Sequence, residues 1–246
     1  VAALGLLAVA GCSSSTSGAN AASSGAPSGA ASASASAAAG GNVGLTQQQL
    51  LTAFNAAVAQ ATAVHVKGTM TTGSDKSALD LQLNKQADSA QGTVSANGAT
   101  IPIISIGGTE YVQMTDSLLK MSGDIPAASA ALMKDKWVSS KSSYGSSLTS
   151  NFAQFGSFGG FISSMTSSTD GMFNGTTAAG TATYNGQTVA VYKNGDGSTA
   201  YFPPTGPAYV VAVVPPGGDG SLAFTWNQPT TVSAPPASQI ITGPAG

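Results

Sequence analysis

The stretch GTVSANGATIPIISIGGTEYVQM, Gly92 to Met114, decides the fold class. Asn97-Gly98 stands between two strand-like runs, the dipeptide that most strongly marks a tight β-hairpin, because both turn positions need positive φ. Gly107-Gly108 marks a second tight turn leading into a strand over Tyr111–Met114. Just upstream, SALDLQLNK alternates Leu79, Leu81 and Leu83 against Asp80, Gln82 and Asn84. A period of two is that of a strand with one face buried. Consecutive hairpins of this kind predict an antiparallel sheet.

Working outward, the period before this region is different. In LTQQQLLTAFNAAVAQATAVHV, Thr46 and Gln49 have the spacing of a helix capping box. Leu50, Leu51, Phe54, Ala57, Val58, Ala61 and Val64 then recur at three- and four-residue steps. They give one apolar helical face, and the change to a strand period is expected after Val66. The last quarter returns to hairpins: Asn185-Gly186 precedes QTVAVYK, and Asn194-Gly195 precedes STAYF. Ala208–Val214 is apolar on both faces, so it is expected to be a central strand or to border a hydrophobic cavity. In SLAFTW, Leu222, Phe224 and Trp226 share a face. Between the two sets of strands, about 117–176, lies a helical insertion. Helix, hairpins, helical insertion and hairpins together predict one α+β domain over residues 44–237, followed by a flexible tail at 238–246.

The chain's other end reads differently again. VAALGLLAVAG, residues 1–11, carries no charge, and small residues precede Cys12, the chain's single cysteine. Val9-Ala10-Gly11-Cys12 resembles a bacterial lipobox, so 1–11 is expected to be part of a signal peptide and Cys12 the lipidated residue. Residues 12–43 are almost wholly Ser, Ala and Gly, a flexible tether with a reach of roughly 30 Å. The expected location is the extracytoplasmic face of a bacterial cell membrane, with the anchor as the membrane contact.

Composition narrows the function. Only 7% of the 246 residues are charged, mean hydropathy is +0.15 and the net charge is −2. The cations are eight scattered lysines; with no arginine for bidentate phosphate contacts, nucleic acid is not expected as a partner. One cysteine allows no internal disulfide or zinc cluster. The single histidine, His65, has no sequence neighbour to serve as a catalytic partner. No serine lies in a Gly-x-Ser-x-Gly elbow. Asp116, Asp124 and Asp135 flank the insertion as caps and turns, and NGDGS, Asn194–Ser198, reads as a hairpin turn in place of a calcium loop. A catalytic role, a metal and a cofactor are not expected.

The insertion holds an anomaly. NFAQFGSFGGFISSM places Phe152, Phe155, Phe158 and Phe161 at a strict spacing of three, with Ile162 and Met165 following. On an α-helix that spacing spreads four rings over roughly 180°, wider than one stripe. Gly156, Gly159 and Gly160 each cost about 1 kcal/mol of helix propensity relative to Ala. Two readings stay open: an ordinary core helix, or an aromatic flap over a hydrophobic cavity, where glycines permit movement.

The order of lipobox, tether, LLTAFNAAVAQATAVHVKGTM helix, hairpins, YVQM, DKWV, helical insertion and YNGQTVAVYK…AYVVAVV…LAFTWNQPTTVSAPP resembles the actinobacterial LppX/LprG-type lipoproteins. It resembles the LolA/LolB lipoprotein-carrier fold more distantly. The resemblance implies a curved antiparallel β half-barrel with helices packed against the concave side, enclosing a cavity for acyl chains. It implies binding and carriage of lipid or lipoglycan in the cell envelope. By the same resemblance Phe54, Val58, Leu79, Leu81, Leu83, Phe152, Phe155, Phe158, Phe161, Ile162 and Met165 are expected to line the cavity. An envelope transporter or another envelope protein is the expected further partner. A structural or scaffolding lipoprotein with the same fold and a filled core is the alternative.

Overall fold

The computed structural model describes residues 41–72, 75–96, 98–121, 125–167 and 171–241. Cys12, residues 1–11, most of the tether, Asn97 and Asp124 lie outside the described residues.

Helix α1 (Gln47–Gln60) opens with the expected capping box: the Thr46 hydroxyl accepts from the Gln49 amide, and the Gln49 side chain accepts from the Thr46 amide. Leu50, Phe54, Ala57 and Val58 form its buried face. The helix stops at Gln60, where Ala61 turns extended at ψ 146°. The change of period therefore comes three residues before Val66. Ala61 and Val64 belong to the core, but Val64 reaches it from a strand.

The first meander is β1 (Ala63–Thr72), β2 (Asp75–Asn84), β3 (Ser89–Ala96), β4 (Ala99–Ile106) and β5 (Thr109–Gln113). The β3–β4 hairpin turns through Gly98 at φ +80°. Two short helices follow, α2 (Asp116–Met121) and α3 (Ala127–Met133), then β6 (Trp137–Ser139). The insertion continues with α4 (Ser143–Thr149), a 3₁₀ helix over Ser150–Phe155, and α5 (Phe158–Thr166). A second meander runs β7 (Thr177–Tyr184), β8 (Gln187–Lys193), β9 (Thr199–Phe202), β10 (Ala212–Val214) and β11 (Gly220–Trp226), and Ile240–Ile241 form β12.

All twelve strands join one curved, open sheet in the order β12-β6-β5-β4-β3-β2-β1-β11-β10-β9-β8-β7. The seam between the two meanders is β1 against β11, from Val64 opposite Trp226 to Met70 opposite Gly220. Pairing is antiparallel except for β12, which adds to β6 in parallel. Ile240 and Ile241, within the stretch 238–246 expected to be a flexible tail, thus complete the sheet edge. Two β-branched apolar residues suit a half-buried ladder better than solvent. The packed chain also reaches back into the 12–43 tether: Asn42 is buried, its amide donating to Pro203 O (2.9 Å) and Gly206 O (3.1 Å). Tyr192 fixes the same point, donating to Asn42 O and accepting from the Leu45 amide. Its burial raises the phenol's pKa above the ordinary value, against that backbone bond.

Alternation sorts the sheet's faces. Phe224, Val66, Leu81, Ile103, Val112 and Val138 form one buried cross-strand row, interrupted only at Gly92. These side chains share the core with α1, α2 and the α4–α5 insertion, which pack on the concave face. Gly92 and Gly68 allow the tightest strand approaches: at φ +150° and +154°, a Cβ would lie 1.9 Å from Asp80 O and Ser221 O respectively.

Candidate functional site

The concave side of the sheet and its helical cover bring the expected lining residues together. Phe54, Val58, Leu79, Leu81, Leu83, Phe152, Phe155, Phe158, Phe161 and Met165 are each at most 8% exposed, and all belong to one apolar cluster. Ile162 is half-buried against it. Strand β2 supplies one side of this cluster, α1 another, and the insertion covers it.

The insertion shows how a spacing of three buries four rings. Residues Ser150–Phe155 are 3₁₀ helix, which has three residues per turn, so Phe152 and Phe155 fall on one face. Gly156 and Ser157 break the run, and the Ser157 hydroxyl caps α5 by accepting from the Gly160 amide at 2.9 Å. Phe158, Phe161 and Met165 then take the ordinary α-helical spacing. The single α-helix assumed for this stretch is thus two helical pieces with different periods.

Sequence patterning missed much of the aromatic interior. Successive ring centroids run from Tyr192 to Phe202 (5.6 Å), Phe173 (6.3 Å), Phe54 (5.0 Å), Trp226 (6.2 Å), Phe224 (6.5 Å) and Phe161 (6.4 Å). Edge-to-face and tilted contacts dominate, the geometry that aromatic quadrupoles favour. Phe224 and Trp226 were legible from their shared strand face. Phe173 was not, because it lies in a turn between α5 and β7, outside any helix or strand.

One carboxyl faces this interior. Glu110 of β5 lies opposite Ser105, on the same face as Val112. Burial holds its pKa above the ordinary glutamate value, while a hydrogen bond from Thr149 in the cover opposes that rise. The cover passes close here: a Cβ on Gly156 would lie 2.6 Å from Glu110 Oε1. A void of only about 10 Å³ separates Phe152 and Gly156 from Ile103, Ser105 and Glu110. That is about the space of one water, so the cover here is closed down on the sheet.

His65 lies on the opposite face, in β1, and has the partner that sequence neighbours did not supply. Its Nε2 is 2.7 Å from Asp80 Oδ1 across the β1–β2 ladder, and Lys67 Nζ is 2.7 Å from Asp80 Oδ2. Bonds from Lys67 first and His65 second hold the Asp80 carboxyl below the ordinary aspartate value. Asp116 pairs with Lys134 at 2.8 Å, and Asp135 takes φ +59° after α3. Among the described residues, no three His, Cys, Asp or Glu side chains converge on a metal-sized site, and no helix is long and apolar enough to cross a membrane.

No family model and no curated protein matches this chain. Solved structures do. The chain is similar to the lipoprotein LppX of Mycobacterium tuberculosis, with 17% identity and a TM-score of 0.43 over 76% of this chain and 100% of that one. It is similar to LprF of Mycobacterium bovis, with 15% identity and a TM-score of 0.45 over 77% of this chain and 96% of that one.

Proposed function

We propose that this protein is a non-catalytic, lipid-anchored envelope protein that takes acyl chains between its curved sheet and its helical cover, as a carrier or chaperone of lipid or lipoglycan. The carrying observation is the construction of the cover. Three short helical pieces of 7, 6 and 9 residues, broken at Gly156 and Ser157, lay four phenylalanines on a continuous apolar floor.

Magnitudes decide how such a site works. Burying a sixteen-carbon chain gains on the order of 12 kcal/mol at about 0.8 kcal/mol per CH₂. Exposing the four phenylalanines costs about 6–12 kcal/mol at 1.5–3 kcal/mol each. The two are comparable, so the ligand cannot simply hold the cover open. The rings must close again over the acyl chain, and the resting protein is the collapsed form.

The small void beside Phe152 favours a second reading, a scaffolding lipoprotein whose core is permanently filled. Organic extraction of the protein purified from a bacterial envelope distinguishes the two, with acyl chains quantified per protein and cis-parinaric acid titrated into the delipidated form. Stoichiometric acyl chains and saturable uptake support the carrier. Neither, in repeated preparations, leaves the scaffold. The anchor is tested separately by Cys12→Ser, which should shift the protein from the membrane to the soluble fraction with its fold unchanged.

A further inference from the structure

The outer face of the sheet, away from the acyl interior, carries a second cavity. An open groove of about 330 Å³ is lined by Asp80, Gln82, Gln91, Gly92, Thr93, Ile103, Ile104 and Trp137. That volume is at the lower end of the roughly 300–1,000 Å³ of small-molecule sites. Its polar groups come from two adjacent cross-strand rows: Gln82 opposite Gln91, and Asp80 opposite Thr93.

These groups are held but not exhausted. Gln91 Nε2 donates to Gln82 Oε1 at 3.2 Å, which orients both amides and leaves Gln82 Nε2 and Gln91 Oε1 for a ligand. The Thr93 hydroxyl and the Trp137 indole N–H have no hydrogen-bond partner among the described residues, though Trp137 is only 9% exposed. Asp80 is fixed by Lys67 and His65, so its charge is already matched. Each carboxylate oxygen keeps a second lone pair to accept a hydroxyl. A groove with paired amides, an oriented acceptor, a hydroxyl, an indole and no unmatched charge suits a ligand with several adjacent hydroxyls and apolar C–H faces.

We propose that this groove binds a neutral saccharide ring. Gln82, Gln91, Thr93 and Asp80 hydrogen-bond its hydroxyls, and Trp137 contributes its N–H and apolar indole surface. The proposal is independent of acyl binding, because it uses the opposite face of the same strands.

The test uses tryptophan fluorescence and NMR of the isotope-labelled protein, titrated with maltotriose, cellotriose, mannotriose and chitotriose at millimolar concentration. Octyl β-glucoside below its micelle threshold forms a further arm. At least one trisaccharide should shift the amide resonances of β2 and β3 and perturb emission, with the emission change lost in Trp137→Phe. Gln91→Ala and Gln82→Ala should each weaken binding at least tenfold with an unchanged melting temperature, and Lys134→Ala should leave it unaltered. No shift with any trisaccharide overturns the proposal. Response to octyl glucoside alone, or shifts confined to α5 and the concave rows, assigns binding to the acyl interior and overturns it equally. If Trp137→Phe does not fold, the two glutamine variants decide the matter alone.

Discussion

Substituting Gly92 by alanine tests how far the sheet's packing depends on side-chain-free positions where strands approach each other. The new Cβ would sit 1.9 Å from Asp80 O, on the neighbouring strand's backbone, which cannot rotate away as a side chain could. The φ of +150° adds backbone strain of about 1–3 kcal/mol for any residue with a Cβ. Relieving the contact moves β3 from β2 by more than an ångström, losing at least one ladder hydrogen bond worth about 0.5–1.5 kcal/mol net. Reduced freedom of the unfolded chain returns about 0.4–1 kcal/mol. The expected loss is therefore about 0.5–4 kcal/mol, read as a lower urea midpoint at constant m-value.

Gly98→Ala provides the internal control. Gly98 also has positive φ, +80°, but no atom lies within 4 Å of its would-be Cβ. It carries backbone strain alone, about 1–2 kcal/mol. Gly92→Ala should therefore be the more damaging of the two by a clear margin. If Gly92→Ala changes stability by less than about 0.5 kcal/mol, or less than Gly98→Ala does, the close approach is not what shapes this sheet.

Further outcomes follow from the cover and from the outer face. Because burial raises the Glu110 pKa in the folded state, folding binds a proton there, and stability should fall as pH rises from the ordinary carboxylate range through that raised value. Glu110→Gln should remove this slope and raise the melting temperature at neutral pH only; parallel pH profiles would refute it. Phe161→Ala, which deletes a buried ring packed on Phe224, should cost about 3–5 kcal/mol by urea unfolding. Gly159→Ala places a methyl in open space within α5, so it should stabilise by up to about 1 kcal/mol and slow amide exchange in the cover. Asp80→Asn loosens a solvent-exposed pairing and should change stability by less than about 1 kcal/mol in a thermal melt.

What could be read from the sequence was what is local. The capping box of Thr46 and Gln49, the alternation of Leu79, Leu81 and Leu83, and the hairpin after Ala96 each depend on residues within a few positions. The seam of β1 with β11 joins residues 150 apart at Met70–Gly220 and 162 apart at Val64–Trp226, and nothing in either strand marks the other as its partner. The His65–Asp80 contact leaves no mark in the sequence for the same reason. It is a diagonal across a ladder whose register had first to be known. Ala208–Val214 shows a different limit. Only Ala212–Val214 joins the ladder, while Ala208 and Val210 are buried without strand geometry; an apolar run reports burial but not conformation. The phenylalanine spacing was visible, yet its meaning depended on a 3₁₀ segment, whose short runs leave little trace in composition.

The two candidate sites share one mechanical element. Strand β2 points Leu79, Leu81 and Leu83 into the apolar interior and Asp80 and Gln82 into the outer groove. A slip of one residue would exchange these sets, placing a carboxylate among the phenylalanines and leucines in water. Such an error is excluded from both sides. On one, ten residues of β1 pair with β2 without a bulge; on the other, the close approach of Gly92 to Asp80 O admits no other residue at that step. Gly92 thus holds the register that gives each face its chemistry, and it lines the groove as well. Damage there should be felt on both faces together, whereas Phe161→Ala touches only the interior and Gln91→Ala only the groove. If the two proposed binding reactions respond separately even to Gly92→Ala, the faces are independent surfaces that happen to share a strand.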